Sequence, residues 1–204
     1  SLEISSFASK RTASSLDEKE NSFAHLTSSR PAFLNEGNMT SAQKGTAMHT
    51  FMQYCDYNAS RQDLSKEINR LKCLSYLDEQ QAASLNTSAL EKFFNGTFAS
   101  RMFKSDKIYR EIKVASFVPV CEIENTDFQN PVLVQGISDC VFEENGELVV
   151  VDYKTDRVEN EQQLLERYRQ QLMCYKSAVS KTLKKPVKQV VLYSFYLNKE
   201  CIYK

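Results

Sequence analysis

The chain has 204 residues, 42% of them hydrophobic and 25% charged, a composition typical of one globular domain or of one domain with a helical extension. Its 26 basic side chains are balanced by 26 acidic ones, which excludes a globally basic field, so any contact with nucleic acid must be local. No apolar run approaches the length of a membrane span and no signal peptide is visible, so we expect no membrane partner.

The cysteines form no Cys-x-x-Cys pair, and several of them lie inside apolar runs. This pattern is typical of reduced, buried thiols in a cytoplasmic protein rather than of a disulfide framework. It also predicts no iron–sulfur cluster, because such a cluster needs four converging thiolates. The cysteines are Cys55, Cys73, Cys121, Cys140, Cys174 and Cys201.

The first part of the chain is expected to be irregular and then helical. Residues 1–30 are rich in serine, lysine and glutamate, which predicts a linker or flexible arm ahead of a folded domain over 31–204. Because the first residue is serine, we expect the chain to be a piece of a longer protein. Thr40 and Gln43 have the spacing of a capping box, so a helix should begin there and end near Tyr57.

The folded domain divides into a helical part and a sheet core. Apolar residues recur at helical spacing over about 41–104, whereas the sheet core is predicted over about 107–204. The core opens with a strand over Lys107–Val120, which is rich in β-branched and aromatic residues.

A β-hairpin is the strongest local signal in the sequence, because two β-branched runs flank Asn145-Gly146. Counting outwards from this turn, Asp139 should face Asp152. Side chains alternate along a strand, so Lys154 should lie on the same face as Asp152. Like charges directly opposite each other destabilise a sheet, so the simplest explanation is a divalent cation between the aspartates, with the lysine beside it. The alternative is a surface hairpin with incidental charges.

The end of the chain predicts a crossover unit. Asn160 is a candidate N-cap for a helix to about Leu183, followed by a strand over Val187–Leu197. A strand, a helix and a second strand favour parallel pairing, so this strand should lie beside Val149–Lys154. A last short strand is expected over Cys201–Tyr203.

Four further side chains are candidates for chemistry, and each has a structural alternative. His49 lies one helical turn after Gly45, and a lone histidine beside an apolar face is more often structural than a ligand. Glu111 lies in mid-strand among apolar neighbours, where an edge-strand salt bridge is equally plausible. Gln171 and Tyr175 are four residues apart on one helix face, where a core tyrosine and a merely polar glutamine are the simpler interpretation.

Asp139 followed by Asp152-Tyr153-Lys154-Thr155 resembles the core of the PD-(D/E)xK nucleases, and the second segment looks like the Asp-Tyr-Lys-Thr signature of their RecB-like branch. Each motif alone is weak, but together they are specific, because the hairpin register independently brings Asp139, Asp152 and Lys154 together. The other motifs of the branch follow the same order along the chain: Gly45-x-x-x-His49, Arg110-Glu111, Gly136-x-x-Asp139 and Gln171-x-x-x-Tyr175.

The resemblance implies a restriction-endonuclease-like α/β fold, with a central mixed sheet flanked by helices and an N-terminal helical extension. It also implies a Mg²⁺ site, with Mn²⁺ possible, since hard oxygen ligands suit these cations and one imidazole is reasonable in a mixed nitrogen–oxygen shell. The implied metal ligands are His49, Asp139, Asp152 and the backbone carbonyl of Tyr153.

The remaining site residues take their roles from the same resemblance. Lys154 would meet the attacked phosphate or water. Gln171 and Tyr175 would lie near the metal and the DNA phosphates, and Glu111 would be a third acid near the metal.

Within the branch, Gly45-Thr-Ala-Met-His49 and Arg30-Pro31-x-Phe33 are most similar to the nuclease domain of the AddAB-type helicase–nucleases. The resemblance implies a Mg²⁺-dependent exonuclease that acts on single-stranded DNA from duplex ends during break repair and recombination. Its partners would be a helicase motor of the AddA type, through which alone ATP would act, and the AddB protein. Two alternatives stay open: a DNA-end binding module without nuclease activity, and a stand-alone endonuclease of the same fold.

Overall fold

The computed structural model describes residues 10–12, 39–119 and 131–203 of the chain, and these contain eight helices and six strands. The helical part consists of α1 (Ser41–Tyr54), α2 (Tyr57–Gln62), α3 (Leu64–Cys73), α4 (Glu79–Ser84), α5 (Thr87–Asn95) and α6 (Thr97–Met102). The remaining elements are β1 (Lys10–Thr12), β2 (Ile108–Pro119), β3 (Pro131–Glu144), β4 (Glu147–Lys154), α7 (Glu161–Arg167), α8 (Arg169–Leu183), β5 (Val187–Ser194) and β6 (Lys199–Tyr203).

The strands form one mixed sheet, which confirms the predicted fold class. The long strand β3 pairs antiparallel with β2 along one edge. Its other edge is shared, because β4 pairs with residues 140–144 and β1 pairs in parallel with residues 133–135. The sheet continues from β4 to β5 in parallel and from β5 to β6 antiparallel.

The β3–β4 hairpin has the predicted turn and register. Asn145 and Gly146 both have positive φ angles, 55° and 85°, as a two-residue turn of this kind requires. The paired residues run from Glu144 opposite Glu147 to Cys140 opposite Val151. The register is therefore as predicted, but the ladder stops one pair before Asp139 and Asp152, so these two residues are not paired as expected.

The predicted crossover is present, but its helix is divided. β4 and β5 are parallel neighbours with Tyr153 opposite Tyr193, as expected. The helix predicted from Asn160 to Leu183 is two helices, because Tyr168 leaves helical geometry at φ −111° and ψ 16°. The first helix also ends earlier than expected, at Tyr54 rather than Tyr57, although its capping box between Thr40 and Gln43 is formed.

Two hydrophobic cores lie on opposite faces of the sheet. The helix-side core packs α1–α6 against one face, and the second core packs α7 and α8 against the other. Strand β4 is buried on both faces, so alternate residues serve different cores: Val149 and Val151 face the helix side, whereas Leu148 and Val150 face the second core. This double burial explains why β4 is almost continuously apolar up to Asp152.

Some predictions fall outside the described residues. Lys10–Thr12, within the expected arm, pair with β3, while the rest of residues 1–30 and the Arg30–Phe33 motif are not described. Cys121 also lies outside the described residues. Of the described cysteines, which are all free thiols, four are buried as predicted and Cys73 is exposed. Among the described helices, none is both long and apolar enough to cross a bilayer.

An ionic cluster ties α6 to the turn of the hairpin. Arg101 donates to both carboxylate oxygens of Glu144, with Nη2 at 2.8 Å from Oε2, and Lys188 contacts the same carboxylate at 2.7 Å. Hydrogen bonds from Arg101 and then Lys188 lower the pKa of Glu144 from 4.5 to about 2. A carboxylate with a lowered pKa stabilises the fold above pH 4.5, and this contribution is lost as the pH falls towards 2.

We expect Glu144→Gln to lower the free energy of unfolding by about 1 kcal/mol at neutral pH, because the side chain is partly solvated. The difference from the wild type should shrink below about pH 4.5 in urea denaturation curves. Glu91→Gln, on an exposed face of α5, is the control and should show no such pH dependence. If the free energy of unfolding of the wild type exceeded that of Glu144→Gln by the same amount down to about pH 3, the lowered pKa of Glu144 would be contradicted.

Candidate functional site

The centre of the site is the point where β4 separates from β3. Beyond the pair Cys140–Val151 the two backbones no longer bond, and the amide of Tyr153 instead donates to Oδ2 of Asp139 at 2.7 Å. The aspartate carboxylate therefore replaces the backbone carbonyl that a continued ladder would provide. We call this region the fork. The Tyr153 side chain points away, into the helix-side core, so only its backbone faces the fork.

His49 reaches the fork from helix α1. Its Nδ1 lies 3.3 Å from Oδ2 of Asp139. Burial by itself lowers the pKa of His49, but the hydrogen bond and charge of Asp139, with a contribution from Asp152, outweigh it and leave this pKa raised above 6.5. The structure thus brings His49 into contact with Asp139, which is far from it in sequence, and leaves Asp152 near enough to affect the pKa of the histidine.

Two contacts fix the position of α1. Arg110 of β2 donates to the carbonyls of Gln53 and Cys55, at 2.9 Å and 2.6 Å, where the helix ends. Near the other end, Gly45 packs so closely on the end of β4 that an added Cβ would lie 3.1 Å from Oγ1 of Thr155. A side chain rather than a backbone therefore makes the close approach that this glycine allows.

Lys154 is held by three groups around its ammonium. Its Nζ lies 2.9 Å from Oδ2 of Asp152, 3.2 Å from Oε1 of Gln171 and 3.9 Å from the centre of the Tyr168 ring. The ring is itself anchored, because Tyr168 donates its hydroxyl to Asp156 at 3.0 Å. Sequence reasoning did not single out Tyr168 and missed this contact. The available signal was its helical spacing from Gln171 and Tyr175.

The charges at the fork are strongly coupled. Asp152 is only 3% exposed, and burial followed by the nearby Asp139 charge raises its pKa despite the opposing effect of Lys154. Burial disfavours the charged Lys154, but Asp152 outweighs this and leaves the pKa of Lys154 raised, so the ammonium form persists. Apart from this ion pair, Oδ2 of Asp152 is buried without a hydrogen-bond partner among the described residues.

Gln171 and Tyr175 connect the fork to β3 from the other side. Gln171 donates Nε2–H to the Tyr175 hydroxyl at 3.1 Å, and that hydroxyl donates to the carbonyl of Ile137 at 2.6 Å. Burial, with the charges of Asp152 and Asp139 adding to it, raises the pKa of Tyr175, so its hydroxyl keeps its proton. The core tyrosine and the polar glutamine therefore act together as one bridge from α8 to the fork.

Glu111 has an unusual backbone. Its φ is 51°, a left-handed conformation that is costly for a residue other than glycine, and it drops out of the pairing between β2 and β3. Tyr109 and Ile112 both pack against the second core although they are three residues apart, so the strand changes its alternation at Glu111. Burial and the neighbouring Asp139 raise the pKa of Glu111, with His49 opposing, which places its carboxyl within electrostatic reach of the fork.

The donors at the fork suit a divalent cation. Two carboxylates and an imidazole are appropriate ligands, and the buried Oδ2 of Asp152, which Lys154 contacts at 2.9 Å, would gain a second partner from a bound ion. As the side chains stand, no three His, Cys, Asp or Glu groups in the described ranges are gathered closely enough to hold a metal. Asp139 is instead engaged by His49 and the Tyr153 amide, and Asp152 by Lys154.

A family model of the PD-(D/E)XK nuclease superfamily matches residues 22–203, a range that contains every residue of the fork. The chain belongs to this superfamily. PD-(D/E)XK nucleases generally use divalent metal ions, in agreement with the donor set at the fork.

Relatives of this nuclease domain are named as the A component of an ATP-dependent helicase/nuclease. The protein from Clostridium kluyveri is 36% identical over 179 residues, 81% of this chain and 14% of the relative. Those from Clostridium botulinum and Bacillus pumilus are each 33% identical, over 92% and 84% of this chain and 16% and 15% of the relatives. The chain thus spans about a seventh of their length. Among solved structures, SSO0001 covers 76% of this chain and 64% of its own, with 16% identity and a TM-score of 0.35, a weak likeness.

The contact between Gly45 and Thr155 can be tested by a double-mutant cycle. Alanine in place of a helix-interior glycine ordinarily adds about 1 kcal/mol of stability. We expect Gly45→Ala to gain less than this in chemical denaturation, because the new Cβ crowds Thr155, and to recover the full gain when combined with Thr155→Ala. Thr46→Ala, on the exposed face of the same turn, should be additive with Thr155→Ala. If the stability changes of Gly45→Ala and Thr155→Ala were additive, the close approach between these residues would be contradicted.

Proposed function

We propose that this chain is the metal-dependent nuclease domain of an AddAB-type helicase–nuclease, and that it hydrolyses phosphodiester bonds of single-stranded DNA during break processing and recombinational repair. The observation that carries the proposal is the fork, where His49, Asp139, Asp152 and Lys154 converge from helix α1 and two strands. A structural hairpin has no need to bury Asp152 near Asp139, because buried like charges are costly.

In the proposed mechanism, His49, Asp139, Asp152 and the carbonyl of Tyr153 would hold Mg²⁺ or Mn²⁺, which would supply a Lewis acid for the scissile phosphate and a bound water of lowered pKa. Asp139 also stays bonded to the Tyr153 amide, which keeps β4 at a fixed distance from β3. Glu111 adds a third negative charge beside the two aspartates and so strengthens the attraction for a cation.

Lys154 supplies positive charge where the phosphate becomes more negative in the transition state. Asp152, Gln171 and Tyr168 hold its ammonium and limit its movement. Gln171 and Tyr175 extend this arrangement to the backbone of β3, so the lysine and the metal ligands share one rigid frame. Lysine suits the task because it is a compact charge that retains its proton.

The proposed partners follow from the relatives. The helicase/nuclease proteins that this chain matches are about seven times longer, so a helicase motor in the same polypeptide would deliver the strand and use ATP. A second protein of the AddB type would complete the complex, which would act on DNA ends in the cytoplasm. The described residues have no span that would hold the domain in a membrane.

The metal requirement is tested with end-labelled single-stranded DNA. We expect the wild-type chain to cleave it with Mg²⁺ or Mn²⁺ and to be inactive in EDTA. Asp139→Asn and Asp152→Asn should each reduce cleavage by roughly 100-fold or more and weaken Mn²⁺ binding in calorimetry. Asp106→Asn, an exposed aspartate remote from the fork in sequence, serves as the control. Cleavage by Asp152→Asn at the wild-type rate would exclude the proposed site.

A separate experiment isolates the role of Lys154. Lys154→Met should reduce cleavage roughly 100-fold while binding Mn²⁺ at least as tightly as the wild type, because a positive charge next to Asp152 is removed. Tyr168→Leu should lower the cleavage rate about 3- to 30-fold through loss of the cation–π contact, with unchanged metal binding. Tyr168→Phe keeps the ring and should stay near the wild-type rate. Normal cleavage by Lys154→Met would remove this lysine from the mechanism.

A further inference from the structure

A cleft of about 730 Å³ lies next to the fork, at the carboxyl ends of the parallel strands β4 and β5. Its wall includes Thr155, the residue after Lys154, and Met48, the residue before His49. In open α/β sheets, ligands bind outside the carboxyl ends of parallel strands. The volume falls within the range of roughly 300–1,000 Å³ that ligand sites occupy. Thr155 and Met48 belong to motifs recognised in the sequence, whereas Lys44, Arg157 and Tyr196, which also line the cleft, do not.

The charge in the cleft is positive. Lys44 and Arg157 line its walls, from α1 and from the segment after β4, and both are exposed. Neither has an acidic partner within ion-pair distance in the described part of the chain. The acidic residue in the lining, Asp156, is engaged by Arg167 at 3.2 Å and by the Tyr168 hydroxyl. As far as the described residues go, both cations can therefore meet an anionic ligand.

An aromatic side chain stands beside these cations. Tyr196 is 51% exposed and follows Phe195, which is buried in the helix-side core. Within the described residues the Tyr196 ring has no aromatic partner, whereas the rings of Tyr153, Tyr193 and Phe195 at this end of the sheet pack together. An exposed ring next to two cations is the combination with which proteins hold single-stranded nucleic acid.

We propose that this cleft binds the nucleotides next to the scissile phosphate of a single strand of DNA. Lys44 and Arg157 contact successive phosphates, and Tyr196 stacks on an unpaired base. The inference rests on the nuclease function proposed above and adds to it the path of the strand away from the fork. Because a stacking face is accessible only on an unpaired base, the cleft selects single strands over duplex.

The stacking contact is tested by a double-mutant cycle in which Tyr196 is changed on the protein and single bases are removed from the DNA. Binding of a fluorescent oligonucleotide is measured in EDTA, where no cleavage should occur, with wild type and Tyr196→Leu and with single abasic positions scanned along the strand. Tyr196→Leu should weaken binding roughly 5-fold or more, and one abasic position should have the same effect on the wild type but none on the variant. Tyr196→Phe should bind as the wild type does. Additive effects at every abasic position would overturn the stacking assignment.

The phosphate contacts are tested by salt dependence. Removal of two phosphate contacts to a single strand should make the plot of log K against log salt less steep, by about 1.4 in slope. We expect this for Lys44→Ala combined with Arg157→Ala. The matched control, Arg61→Ala with Lys66→Ala, removes the same charge from helices α2 and α3 and should leave the slope unchanged. Equal slopes for the two double variants would overturn the proposal.

Cleavage of the same oligonucleotides separates this inference from the proposed function. If wild type cleaves single strands but the cleft variants bind and cleave normally, the proposal that the cleft binds the strand is wrong, and the proposed nuclease function stands. If wild type cleaves nothing with Mg²⁺ or Mn²⁺, the proposed function fails, and the binding experiments in EDTA still decide whether single strands occupy the cleft.

Discussion

The hydrogen bond from the Tyr153 amide to Asp139 is the contact on which the site depends. It stands where β4 parts from β3, and it satisfies an amide that would otherwise lose its partner. Because a carboxylate takes the place of a carbonyl, the strands are held apart by the length of a side chain. That gap is what allows His49 to approach Asp139 from α1 and leaves Asp152 facing the same opening.

The electrostatics of the fork follow from this opening. Burial and the nearness of Asp139 raise the pKa of Asp152, so its negative charge is stable only beside a positive group. Lys154 meets that need in part, and it is itself restrained by Gln171 and the Tyr168 ring. Lys154 therefore stays charged next to Asp152, and under the proposed function this centre would bring together a cation and the phosphate that is cleaved.

The two layers of helices have different tasks. The helical part supplies one chemical group, His49, and most of its residues form the core that supports β4 on that face of the sheet. Arg110 and Gly45 fix α1 at its two ends, one by donating to the last carbonyls and one by allowing close contact with Thr155. On the other face, the helix is broken at Tyr168, whose ring covers the lysine, while Tyr175 of α8 accepts from Gln171 and donates to the backbone of β3.

The sequence by itself determined the local elements: the Asn145-Gly146 turn, the register that follows from it, the capping box at Thr40, and the parallel pairing of β4 with β5. The turn, the register and the cap depend on neighbours in the chain, so turn chemistry and alternation encode them directly, and the crossover connection favours the parallel pairing. Only the tertiary structure decided where the β3–β4 ladder ends, that Glu111 takes a left-handed conformation, and that Tyr168 leaves the helix to cover Lys154. Each of these is a compromise between distant segments that pack against one another, and no local pattern records such a compromise.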